Sequence, residues 1–179
     1  MAPHRGRLRR PSGAARIDRP ALPPVTALLR LCYLLALSVW IGEVVFFSFV
    51  AAPAIFSVLG PAPAGELVSA IFPRYYTIGI SAATVTLVSA VALGRRAALP
   101  RLWTATAVVV ALGLGATVLA GTVVHPRAQR LRAAAHAAGQ APSDSEPFRR
   151  AHRLAVGLNA AALLAAVMGL GLSAAALHE

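Results

Sequence analysis

The chain has 179 residues; 58% are apolar and only 13% charged, yet the formal net charge is +11 and every basic residue is Arg. A disordered chain would be less apolar and more charged, and a soluble nucleic-acid binder would spread its basic residues over a moderately polar fold. Cys32 is the only cysteine, which excludes a disulfide scaffold.

Long apolar runs separated by bunched charges are the pattern of a polytopic membrane protein. The expected architecture is all-α: a four-transmembrane-helix bundle over residues 25–179, preceded by a disordered basic N-terminal tail at 1–24. The tail carries Arg5, Arg7, Arg9, Arg10, Arg16 and Arg19 with five prolines and no apolar periodicity. The Arg9-Arg10 pair does not make a twin-arginine export signal, because the apolar run starts some 15 residues later. The first helix is expected over about 25–52, interrupted by Arg30 and Glu43, with Pro53 ending or kinking it. Residues 54–74 are half apolar, and Gly65 to Phe72 is expected to form a short interfacial helix. The second helix follows over about 76–93. A short basic connection with Arg95, Arg96 and Arg101 leads to the third, about 102–124. The polar connection from His125 to Arg153 holds six arginines, three histidines and only Asp144 and Glu146 as acids. The fourth helix spans about 154–177. Each run is long enough to cross roughly 30 Å of hydrocarbon at about 1.5 Å per residue.

Arginines indicate orientation. Seven in the amino-terminal segment and three in the second connection oppose Arg74 plus the six of the third. This favours both termini in the cytoplasm of a multi-pass protein of the cell membrane, of the bacterial inner-membrane type. Within the bundle, Gly157, Ala161, Ala165, Gly169 and Ser173 follow a four-residue spacing that suits either a packing seam or an Ala-rich chain's chance pattern. Trp103, Tyr75 and Tyr76 fall at interfacial belt positions, and Trp40, mid-helix, is either lipid-facing or core-filling.

Four groups need a chemical reason. Glu43 lies roughly 13 Å inside the first helix from Ala52, where an ionised carboxylate costs about 2.5 to 3.5 kcal/mol or more. It is either a proton or cation site or a protonated acid bonded to a neighbouring helix. Asn159 lies at a similar depth in the fourth helix, as interhelical glue or as a partner of Glu43. His125 and His152 bracket the polar connection, so antiparallel helices bring both to one surface. They are weak candidates for copper, zinc or haem ligation, against plain boundary residues among snorkelling arginines. Arg127 and Arg153 belong to an arginine cluster that attracts anionic lipid or substrate. No phosphate loop, nucleophile elbow or zinc-protease motif is present, no internal repeat stands out, and no cofactor is predicted.

Three segments together carry a resemblance. They are Trp40-Ile41-Gly42 with Phe46-Phe47 and Ala52-Pro53-Ala54-Ile55-Phe56; Gly65-Glu66 leading to Phe72-Pro73-Arg74-Tyr75-Tyr76; and His125-Pro126-Arg127, with Phe148 and Ala151-His152-Arg153-Leu154 to Asn159. Over about residues 28 to 175 this order resembles the domain-of-unknown-function family 4149, which includes transmembrane protein 205-like proteins. The resemblance implies a small four-helix membrane protein without an established biochemical activity. Its eukaryotic relative is associated with platinum-drug resistance, and the family looks distantly similar to the membrane domain of copper-resistance D proteins, which implies a link to metal handling, although this chain lacks Met-rich or His-rich copper motifs. The carried-over positions are Trp40, Gly42, Pro53, Phe56, Gly65, Phe72, Tyr75, His125, Pro126, Arg127, His152, Arg153 and Asn159. The family pattern implies a small or neutral residue after Gly42, and Glu43 departs from it.

The functional expectation is a non-enzymatic integral membrane protein with a polar and aromatic site at the non-cytoplasmic end of the bundle. The alternatives are a metal- or haem-binding protein linked to metal resistance and a proton- or cation-coupled small transporter using Glu43. The expected partners are the lipid bilayer and anionic lipid held by the Arg-rich tail and loop; nucleic acid is excluded and a homo-oligomer is allowed.

Overall fold

The computed structural model describes residues 23–97 and 100–177, and nearly all of the basic tail lies outside them. Four long helices make up the fold, and no strand occurs among the described residues. They are α1 (Pro24–Leu59), α2 (Pro61–Gly94), α3 (Pro100–Ala137) and α4 (Glu146–Leu177). All four are long and apolar enough to cross a membrane, the character of a multi-pass membrane protein.

Proline sets the starts. Pro24, Pro61 and Pro100 each open a helix, where a missing N–H costs nothing and the fixed φ is already helical. Gly60 alone separates α1 from α2. Its φ of +74° reverses the chain, a conformation that a side chain would strain.

The helices outrun the apolar stretches that define them. Pro53 neither ends nor breaks α1, which continues to Leu59. Residues Gly65 to Phe72 are not a separate interfacial helix but part of α2, which passes through Pro73. α3 continues beyond Val124 to Ala137, and α4 begins at Glu146 rather than near Leu154. The reason is local at two prolines. Ahead of each lies a widened π-helical segment, Phe47–Ala51 before Ala52-Pro53 and Ala120–Val124 before His125-Pro126. The Ala52 and His125 N–H groups donate to carbonyls five residues back, on Phe47 and Ala120. Proline's ring would otherwise crowd the carbonyl four residues back, and the wider turn relieves it. The two odd-numbered helices thus share a device that comparison of the two helix pairs by sequence misses.

α1 packs on α2, α2 on α3 and α3 on α4, and α4 closes more lightly on α1. The exterior is apolar: Phe49, Val58, Val88, Leu112 and Leu164 are all well exposed. Some polar side chains go inside, among them Thr86, Thr106, Thr117 and Ser173, while others such as Ser81 stay outside. The three threonine hydroxyls donate to carbonyls four residues back, at 2.9 to 3.0 Å, so they enter the interior already satisfied. A largely apolar exterior around a close-packed interior that holds polar groups suits lipid, where close packing and polar contacts rather than apolarity join helices.

Trp103, Tyr75 and Tyr76 are buried in the bundle rather than in an interfacial belt. Trp103 meets Tyr33 edge-on at 5.5 Å, and the Tyr33 hydroxyl donates to the Gly169 carbonyl at 3.1 Å, tying α1 to α4. The α4 stripe is a seam only in its second half. Ala165, Gly169 and Ser173 are buried, whereas Gly157 and Ala161 are exposed. Steps of four residues overshoot a 3.6-residue turn by about 40° each, so the stripe winds off the contact face. Ala162 and Ala166 take over its inner side.

Candidate functional site: a buried carboxylate beside an aromatic cluster

We call the end of the bundle where α1 turns into α2 and α3 runs toward α4 the distal end. An aromatic cluster fills it. Phe72 is its hub, with ring centroids 5.3 Å from Phe47, 5.7 Å from Tyr75, 5.5 Å from Tyr76 and 5.2 Å from the His125 imidazole. Tyr75 and Tyr76 touch edge-on, and Tyr76 also contacts His125. Three helices contribute: Phe47 stands at the start of the α1 π segment, and His125 just after that of α3. These contacts are the favoured offset and edge geometries of aromatic pairs. Tyr76 is seated by Gly121, where an added Cβ would come within 2.7 Å of its ring.

One turn deeper, three rungs cross from α1 and α2 onto one face of α3. Gly113 receives the Trp40 ring, Thr117 lies beside the Glu43 carboxylate, and Gly121 receives Tyr76. Trp40 is fully buried and fills the core. Glu43 turns into the bundle. A Cβ placed on Gly79 would lie 3.1 Å from Glu43 Oε2 and 3.4 Å from the Thr117 methyl, so the carboxylate occupies a notch left by that glycine. Both carboxylate oxygens are shielded and have no hydrogen-bond partner. The nearby Tyr75 hydroxyl, within electrostatic reach of Glu43, is likewise buried and unbonded, as are Trp40 Nε1 and His125 Nε2. Unbonded polar atoms on Trp40, Glu43, Tyr75 and His125 together in one small bundle are unusual, since buried polar groups are almost always bonded.

The remaining predicted residues sit elsewhere. Asn159 faces the Tyr76 hydroxyl rather than bonding Glu43. His152 is exposed and stacks on Phe148 of its own helix, 6.2 Å between centroids, while His125 is buried in the aromatic cluster. Arg153, with Arg149 and Arg150, donates to the Glu146 carboxylate at the exposed start of α4. Arg127 is exposed, as are Pro53, Phe56 and Gly42; nothing lies near Gly42. Gly65 instead makes room for an arginine. The Arg132 guanidinium donates to its carbonyl, and a Cβ there would land on that guanidinium. Among the described residues, no three His, Cys, Asp or Glu side chains gather as a metal site would require.

The family described as a domain of unknown function (DUF4149) matches residues 35–137. This chain belongs to that family. The matched stretch takes in the carboxylate, the aromatic cluster and both π segments, but ends before α4, so His152, Arg153 and Asn159 lie beyond it. No curated protein and no solved structure matches the chain. None of these matches supports the expected similarity to copper-resistance D proteins.

Gly79, Thr117, Gly121 and Phe47 belong to this site without having been singled out for it. A signal for part of the set exists: Gly113, Thr117 and Gly121 recur at four-residue spacing on α3, short enough to share a face.

Proposed function

We propose that this protein is a non-enzymatic multi-pass protein of the cell membrane, with a working site in the distal half of the bundle that holds a proton or a small cation on Glu43. The carrying observation is the Glu43 carboxylate, turned inward against Gly79 and Thr117 with both oxygens shielded and unbonded. An isolated carboxylate in such surroundings is far too costly to stay bare, so a proton or cation accompanies it. Tyr75 supplies a neighbouring polar group, and the aromatic cluster separates the carboxylate from the distal surface. The arginine count supports a distal end on the non-cytoplasmic side and termini in the cytoplasm.

A metal or haem reading has His125 Nε2 as a buried donor, but His152 is engaged elsewhere and exposed. No observation favours it over the carboxylate site. A transporter coupled through Glu43 extends the proposal and requires the aromatic cluster to open.

Dicyclohexylcarbodiimide, an apolar reagent that adds to protonated carboxyls, tests the site on the reconstituted full chain. Adduct on the peptide carrying Glu43, reduced by alkaline pH or by a competing cation, is the expected result. Modification of Glu66 and Glu146 with Glu43 untouched overturns the proposal. Sidedness has its own test. A Gln140→Cys change in a Cys32→Ser background is expected to react with an impermeant maleimide on intact cells, and protection there reverses the orientation.

A further inference from the structure

We infer that the furrow between α3 and α4 at the distal end is a binding site for the headgroup and upper acyl chain of an anionic lipid. The furrow encloses about 550 Å³, within the roughly 300–1,000 Å³ of small-molecule sites. Its two halves differ in chemistry. Leu119 and Val123 on α3 and Leu154 on α4 form an exposed apolar floor. Arg127 and Arg150 stand above it, each one turn beyond the apolar part of its own helix, with Glu146 beside Arg150 in the lining. On α3 the series 119, 123 and 127 runs along one face at four-residue spacing, so floor and charge are continuous.

Charge decides the occupant. Five arginines (127, 130, 149, 150 and 153) crowd the end of α3 and the start of α4, against Glu146 and Asp144. Arg149, Arg150 and Arg153 already share the Glu146 carboxylate, which leaves a positive surplus. Arg127 has no ion-pair partner among the described residues. A phosphate group suits such guanidiniums. A free anion would leave the apolar floor uncovered, whereas a phospholipid covers both halves. The floor also opens sideways onto the surface that faces hydrocarbon, the direction from which a lipid arrives. Two guanidiniums at one level between helices recognise a phosphate headgroup through charge-assisted, bidentate hydrogen bonds.

The test uses the full chain in phosphatidylcholine nanodiscs carrying spin-labelled phosphatidylglycerol or spin-labelled phosphatidylcholine. Preferential immobilisation of phosphatidylglycerol is expected, and each arginine removed should weaken that preference by roughly fivefold. The Arg127→Gln/Arg150→Gln variant therefore loses most of it. Val123→Trp fills the furrow with the charges intact and loses it too. Glutamine at Arg5, Arg7, Arg9 and Arg10 of the tail leaves it unchanged, and inorganic phosphate does not displace the lipid. Retained preference in both furrow variants, loss in the tail variant, or displacement by phosphate alone each overturns the inference.

Discussion

Gly113 and Gly115 lie two residues apart in α3 and face opposite environments, so one substitution at each isolates a packing energy. A Cβ on Gly113 would stand 2.7 Å from the Trp40 ring and 2.8 Å from the Ala165 Cβ. Trp40 is fully buried, and the Ala165 Cβ is fixed to the α4 backbone, so neither side yields without moving a helix. Inserting a methyl into such a contact costs about 1–3 kcal/mol. Gly115 has nothing within 4 Å. Both alanine variants gain the same helix preference, about 0.5–1 kcal/mol. It cancels between them, so Gly113→Ala should be less stable than Gly115→Ala by about 1–3 kcal/mol. Reversible unfolding in mixed micelles, followed by the fluorescence of Trp40 and Trp103, measures this difference. Equal stability of the two variants, or a more stable Gly113→Ala, refutes the three-helix contact among α1, α3 and α4.

Three further outcomes follow from individual contacts. Tyr33→Phe removes the α1–α4 hydrogen bond to Gly169 and should cost about 0.6 kcal/mol, at most ~1.7, in the same unfolding assay. His125→Ala empties part of the aromatic cluster and should cost about 2 kcal/mol or more. His152→Ala, at an exposed position, stays within about 0.5 kcal/mol of the parent, and a reversed order contradicts the assigned environments. Gly65→Ala displaces the Arg132 guanidinium without unfolding the bundle, since only the end of a flexible side chain has to move. Limited trypsin digestion should then cut at Arg132 faster than in the parent, while an unchanged rate removes the latch.

Much of this fold was legible as apolar runs, because a span must be long and almost free of charge. Its helix ends were not. Pro53 reads as an end or a kink by the rules for helices in water, and elements were expected to finish before Pro73 and Pro126, yet all three prolines lie within continuous helices. Where no water is available to satisfy freed backbone groups, the chain keeps its internal hydrogen bonds, and ahead of Pro53 and Pro126 it widens a turn. Glu43 was recognisable as costly by depth alone. Its direction was hidden, because α1 is apolar all round and offers no polar face to orient it. The notch at Gly79 that receives it belongs to another helix. The α4 stripe misled for the opposite reason: a strict four-residue pattern looks like a straight seam on paper but winds around a real helix. His125 and His152 share an end of the bundle, as antiparallel helices require, yet one is wrapped in aromatics and the other faces outward.

The central claim concerns what Glu43 holds, and infrared difference spectroscopy reads it directly. The reconstituted protein would be stepped in pH and in sodium or potassium concentration, with Glu43→Gln as the reference. The account predicts a carboxyl carbonyl band, or its replacement by a carboxylate band on cation addition, that is absent from the variant. Identical difference spectra for the parent and Glu43→Gln under every condition would show that the carboxyl exchanges neither proton nor cation, and the proposed site would fall.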